Sequence, residues 1–80
     1  MKLPRDLSGD ELAKALERLG YQATRQTGSH LRLTTEQRGE HHVTIPRHES
    51  LRIGTLSAIL REVAEHHELT KDDLIIRLFQ

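Results

Sequence analysis

The chain has no cysteine and no tryptophan, a single tyrosine, a single phenylalanine and two prolines in 80 residues, and its formal charges cancel. Without cysteine there is no disulfide scaffold and no thiolate metal site, which fits a reducing cytoplasm. With Tyr21 and Phe79 as the only aromatics, the chain lacks a base-stacking platform of the kind that single-stranded-RNA modules use. Zero net charge argues against strong non-specific attraction to nucleic acid. No run approaches the roughly 20 apolar residues of a membrane span, and the segment from Met1 to Asp6 lacks the apolar stretch of a signal peptide. The expectation is one soluble cytoplasmic domain over residues 1–80 with no membrane partner. A domain of this size buries only about 60% of its unfolded surface, so its core is thin.

The charges that are present are unevenly spread. Residues 21–60 carry five arginines against three glutamates and hold four of the six histidines, whereas residues 61–80 carry three cations against five acids. Ser8-Gly9-Asp10-Glu11 has the form of a capping box, with Leu7 and Leu12 at staple spacing around it. Leu12, Leu16 and Leu19 recur at helical spacing, and Gly20 stands where a left-handed C-terminal residue belongs, so the pattern predicts a helix over about 9–19. Tyr21 to Gln26 reads as a strand, and Thr27-Gly28-Ser29 as the turn into a second run, His30 to Thr35. His41 to Ile45 resumes the alternation until Pro46 stops it. Pairing Leu31 with Ile45 and Leu33 with Val43 stacks the apolar residues on one face and sets Arg32 against Thr44 on the other. The same register puts His30 opposite Pro46, close to Arg47 and His48.

Residues 47–53 read as a loop. Leu56, Ile59, Leu60 and Val63 then follow the template of an amphipathic helix opened by Gly54-Thr55, and Thr70 caps a short last helix with Leu74, Ile75 and Leu78 as its apolar contacts. The order is α-β-β-β-α plus a short C-terminal helix, an α+β fold whose three antiparallel strands are covered on one face. The N-terminal amides of the Gly54 helix belong at the His30 end of the hairpin. Free amides and the positive end of the helix dipole favour a phosphate there.

Gly28-Ser29-His30 sets one imidazole just after a tight turn, and an imidazole exchanges protons at cellular pH. Three ordered stretches, Arg25-Gln26-Thr27-Gly28-Ser29-His30, Val43-Thr44-Ile45-Pro46-Arg47-His48 and Gly54-Thr55-Leu56-Ser57-Ala58-Ile59-Leu60-Arg61, resemble in order and spacing the signature stretches of the HicA toxin family. The resemblance implies a double-stranded-RNA-binding-domain-like fold used as a ribonuclease on mRNA, restrained by a HicB-type antitoxin, with His30 as the catalytic residue. The chain departs from the family in its neutral charge and in Leu31, which follows His30 where a second histidine is common.

As general base or acid, His30 would assist attack of a 2′-hydroxyl on the adjacent phosphate and leave a cyclic phosphate. Such help is worth about 10²–10⁴-fold, so charge on the phosphorane must be met elsewhere. The candidates for RNA contact are the guanidinium groups of Arg25, Arg32 and Arg47, the backbone around Gly28, Ser29, Gly54 and Thr55, and His48, which is also the nearest second proton-transfer group. His41-His42 and His66-His67 do not have metal-ligand spacing: neighbours in a strand face opposite ways and neighbours in a helix diverge by about 100°. No metal or other cofactor is expected. The alternative readings on the same fold are a non-catalytic RNA-binding module and a protein-interaction domain.

Overall fold

Ser8 starts the first helix as the capping box requires: its hydroxyl accepts from the Glu11 amide at 3.0 Å, and the Glu11 carboxylate accepts from the Ser8 amide at 2.9 Å. In this computed structural model residues 5–80 are described. Helix α1 (Gly9–Leu16) tightens into a 3₁₀ turn at Glu17–Leu19, so the predicted helix is α-helical only over its first part. Gly20 then reverses the chain at φ +82°, a conformation that suits glycine. The strands β1 (Gln22–Thr27), β2 (His30–Thr35) and β3 (His41–Pro46) come next, then α2 (Ile53–His67) and α3 (Lys71–Phe79). Helix α2 opens at Ile53, one residue before the expected start. Its N-cap, Arg52, is in extended conformation and gives no side-chain bond to the first turn. Thr70 does cap α3, accepting from the Asp73 amide at 3.1 Å.

The sheet is antiparallel in the order β1-β2-β3. Between β2 and β3 the register is the expected one, with Leu31 opposite Ile45, Leu33 opposite Val43, Arg32 opposite Thr44 and His30 opposite Pro46. Alternation does the rest: Leu33, Val43 and Ile45 are buried against α1 and α2, while Arg32 and Thr44 face away. The core is completed by Leu12 and Leu16 of α1, Leu56, Leu60 and Val63 of α2, and Leu74 and Leu78 of α3. None of the helices among the described residues is long and apolar enough to cross a membrane.

Two features escape the sequence pattern. The β1–β2 register slips between Ala23 and Arg25, so that Thr24 is an extra residue and Arg25 sits opposite Arg32. A one-residue bulge turns the residues beyond it to the other face, and here it carries Arg25 from the helix side, where Ala23 lies, to the open side. The second feature is the seat of the loop after β3. Gly9 packs so tightly on it that a Cβ there would lie 2.0 Å from the Pro46 carbonyl oxygen. The Gly9 amide donates to the His48 carbonyl at 2.9 Å, and the Leu51 amide to the Leu7 carbonyl at 2.7 Å.

Candidate active site

His30 is held by a two-residue turn. Thr27 pairs with His30 across it, and Gly28 takes φ +51° with open space around it. Glycine at the first turn position is what a tight hairpin of this kind asks for. Just beyond β3 the Arg47 amide donates to the Ser29 carbonyl at 2.6 Å, which fastens this end of the hairpin past the point where Pro46 can no longer donate. The His30 ring is exposed, and the Ser29 hydroxyl lies 3.4 Å from its Nδ1, at the outer edge of hydrogen-bonding range.

From here a cleft of about 690 Å³ runs between β3 and α2, lined by His30, Thr44 and Pro46 on the sheet and by Gly54, Thr55, Ala58, Ile59, Arg61 and Glu62 on the helix. His30 and the start of α2 therefore share one cavity, and nothing crowds the backbone of Gly54. On the open face beside it, Arg25 and Arg32 stand opposite each other. Like charges directly across a strand pair are unfavourable unless an anion lies between them. Neither arginine has an acidic partner among the described residues.

Two expected members stand apart. Arg47 turns its guanidinium onto Asp10 of α1, with Nε to Oδ1 at 2.9 Å and Nη2 to Oδ2 at 3.0 Å. That hydrogen bond draws the Asp10 carboxyl below its usual range and raises the Arg47 guanidinium above its own. His48 is exposed and does not line the cleft, and its backbone carbonyl serves as the acceptor for Gly9. Conversely, sequence reasoning passed over Thr44, Arg61 and Glu62. Thr44 was legible as the open-face partner of Arg32. The spacing 54, 58, 61 marks Arg61 as sharing a helix face with Gly54, but that face meets the cleft only because α2 runs beside β3.

At the opposite end of β3 the remaining histidines gather. His41 and His66 stack with ring centroids 4.3 Å apart, and Tyr21 lies edge-on to His41 and His67. The Tyr21 hydroxyl is 2.7 Å from His41 Nδ1 and 3.2 Å from His67 Nε2. A phenol can donate to only one of these nitrogens, so the other must carry the proton. His66 Nε2 donates to the Gln37 and Gly39 carbonyls. The expected divergence of adjacent histidines holds in the strand, where His42 turns away to Thr34 and Glu40. It fails in the helix: the His66 and His67 rings meet at 4.9 Å, because both lean onto the Tyr21–His41 side. Burial, then the neighbouring His66, holds His41 and His67 below the usual imidazole range, and burial pushes the Tyr21 phenol up to about 12. Among the described residues no three His, Cys, Asp or Glu side chains are grouped to hold a metal ion.

Three antiparallel strands with helices packed against them in the order α-β-β-β-α make an α+β domain of double-stranded-RNA-binding-domain-like layout. The family described as HicA toxin of bacterial toxin-antitoxin matches residues 9–64, from the first residue of α1 to near the end of α2, and the chain belongs to that family. Its role is accordingly that of a toxin with an antitoxin partner. No curated protein and no solved structure matches the chain.

Proposed function

We propose that this toxin is a metal-independent endoribonuclease that cleaves mRNA in the cytoplasm, with His30 as its proton-transfer residue and a HicB-type antitoxin as its inhibitor. The observation that supports this best is the sharing of one cleft by the exposed His30 ring and the uncapped start of α2. His30 takes the proton of a ribose 2′-hydroxyl as its oxygen bonds to the adjacent phosphorus. The bond from phosphorus to the 5′-oxygen breaks, and that oxygen takes a proton from solvent water, giving a 2′,3′-cyclic phosphate and a 5′-hydroxyl, while His30 returns its proton to solvent. Charge on the phosphorane is met by the amides at Gly54 and Thr55 and by the backbone at Gly28 and Ser29. Arg25 and Arg32 hold the strand by its phosphates on the open face.

The test is His30→Ala, assayed for RNA cleavage and growth inhibition with circular dichroism as the check on folding. The expected result is loss of cleavage by about 10²-fold or more with the fold intact, since an exposed histidine contributes little burial. Cleavage is expected to survive a chelator. Retained cleavage in the purified variant overturns the reading. The balanced net charge favours a second one, a protein-interaction domain with negligible, salt-insensitive RNA affinity.

A further inference from the structure

The cleft beside His30 has a single guanidinium among the described residues that line it, and it is not that of Arg47. Arg47 is engaged at both of its forked nitrogens by Asp10. Arg61, by contrast, is exposed on the α2 wall and has no hydrogen-bond or ion-pair partner among the described residues. It lies seven residues beyond Gly54, two helical turns, which sets it about 10 Å along the axis on the same side of α2. A phosphate resting on the amides at Gly54 is therefore not the one Arg61 is placed for. Glu62, the next residue, lines the same cleft and is the one acid among the described residues that line it.

We propose that Arg61 is a substrate-positioning residue that grips a flanking phosphate of single-stranded RNA, so that the strand lies along the groove between β3 and α2 with the scissile phosphate at His30. This rests on the nuclease reading of His30. The physical argument is that Arg25 and Arg32 hold the strand only on the open face, outside the cleft, and a flexible strand held on one side of His30 is free to pivot. A guanidinium with no internal partner on a cleft wall supplies the second anchor at no cost in broken ion pairs. Glu62 opposes it. A carboxylate beside the path repels every phosphate that passes, so it keeps affinity low and lets product leave.

Binding is measured first, in the His30→Ala background, with a short labelled single-stranded RNA of mixed sequence at several salt concentrations. Adding Arg61→Gln is expected to weaken binding about three- to fivefold, the scale of one exposed ion pair. It should also flatten the slope of log affinity against log salt by about 0.7, the share of one phosphate on a single strand. Arg61→Lys should recover most of both. Glu62→Gln should tighten binding, and Lys14→Gln on α1, away from the cleft, should change neither quantity. With His30 intact, Arg61→Gln should raise KM and leave kcat within about twofold. An unchanged salt slope in Arg61→Gln, or an equal loss in Lys14→Gln, overturns the assignment even if His30→Ala has abolished cleavage. Full cleavage by His30→Ala overturns the nuclease reading, and the binding measurements then still decide whether Arg61 meets phosphate. Absence of RNA binding at any salt concentration overturns both.

Discussion

Arg47 meets Asp10 across 37 positions of sequence with two parallel hydrogen bonds, and this pair ties the end of β3 to the first turn of α1. Asp10 also sits where the helix dipole favours a carboxylate, so the pair completes a helix start that Ser8 and Glu11 have already capped.

Arg47→Gln and Asp10→Asn are each expected to lower the urea midpoint slightly, and the double variant to lose less than the sum of the two. Both side chains are well exposed, so the effect should be small and should shrink with added salt. Arg47→Lys should not restore it, because an ammonium cannot match the fork. Arg47 holds the Asp10 carboxyl below its ordinary value of 3.8. The contribution is therefore present above that pH and lost as the pH falls below it. A variant at Arg47 that loses RNA affinity while keeping its stability would show that Arg47 serves phosphate after all.

Gly9→Ala is expected to cost about 1–3 kcal/mol despite alanine's better helix propensity. Its methyl group would fall 2.0 Å from the Pro46 carbonyl oxygen and 3.1 Å from the Arg47 Cα, and both are backbone atoms. For a domain of this size that corresponds to a fall in Tm of about 4–8 °C per kcal/mol. An unchanged Tm would mean that the loop after β3 does not rest on α1.

The histidine cluster makes stability sensitive to acid. The unfolded chain binds protons on His41 and His67 as the pH drops through their ordinary value of 6.5, while burial delays protonation in the folded chain. The unfolded state then carries more protons, so stability is full above about pH 6.5 and declines below it. Urea midpoints between about pH 7.5 and pH 5 check this, and His67→Gln should flatten the decline. On the alkaline side the Tyr21 phenol, raised to about 12, adds a loss that begins above its ordinary value of 10. Tyr21→Phe should cost about 1–2 kcal/mol at neutral pH by removing the partner of both imidazoles. A flat profile in the wild-type protein between pH 7.5 and pH 5 would show that the cluster opens to water.

An antitoxin that inhibits by covering the cleft should slow amide exchange in residues 28–32 and 46–55 and should present carboxylates toward Arg25 and Arg32. RNA cleavage titrated with the antitoxin is the companion measurement. Binding without inhibition, or protection confined to α3, would place the inhibitory contact elsewhere.

Much of this arrangement is legible in the sequence. Ser8, Glu11 and Gly20 mark the ends of the first helical segment with side chains and backbone freedom that act within three residues. The β2–β3 register is set by Leu31, Leu33, Val43 and Ile45, because a slip of one residue would turn the apolar pair of the slipped strand to water. The strand Gln22–Thr27 offers no such marker. Its residues are polar apart from Ala23, so the bulge at Thr24 and the facing of Arg25 by Arg32 leave no trace in its pattern.

By itself, then, the sequence determined the local elements, the hairpin that positions His30 and, through three short stretches, the toxin family. Each depends on interactions between near neighbours or on strict alternation. Tertiary structure alone decided that Arg47 answers to Asp10, that Gly9 must stay small beneath Pro46, that His66 reaches His41 and His67 reaches Tyr21, and that Arg61 stands in the cleft with His30. Those outcomes depend on how α1 and α2 dock against the sheet. Docking is driven by the burial of apolar side chains, which is non-directional and carries the polar residues along with it.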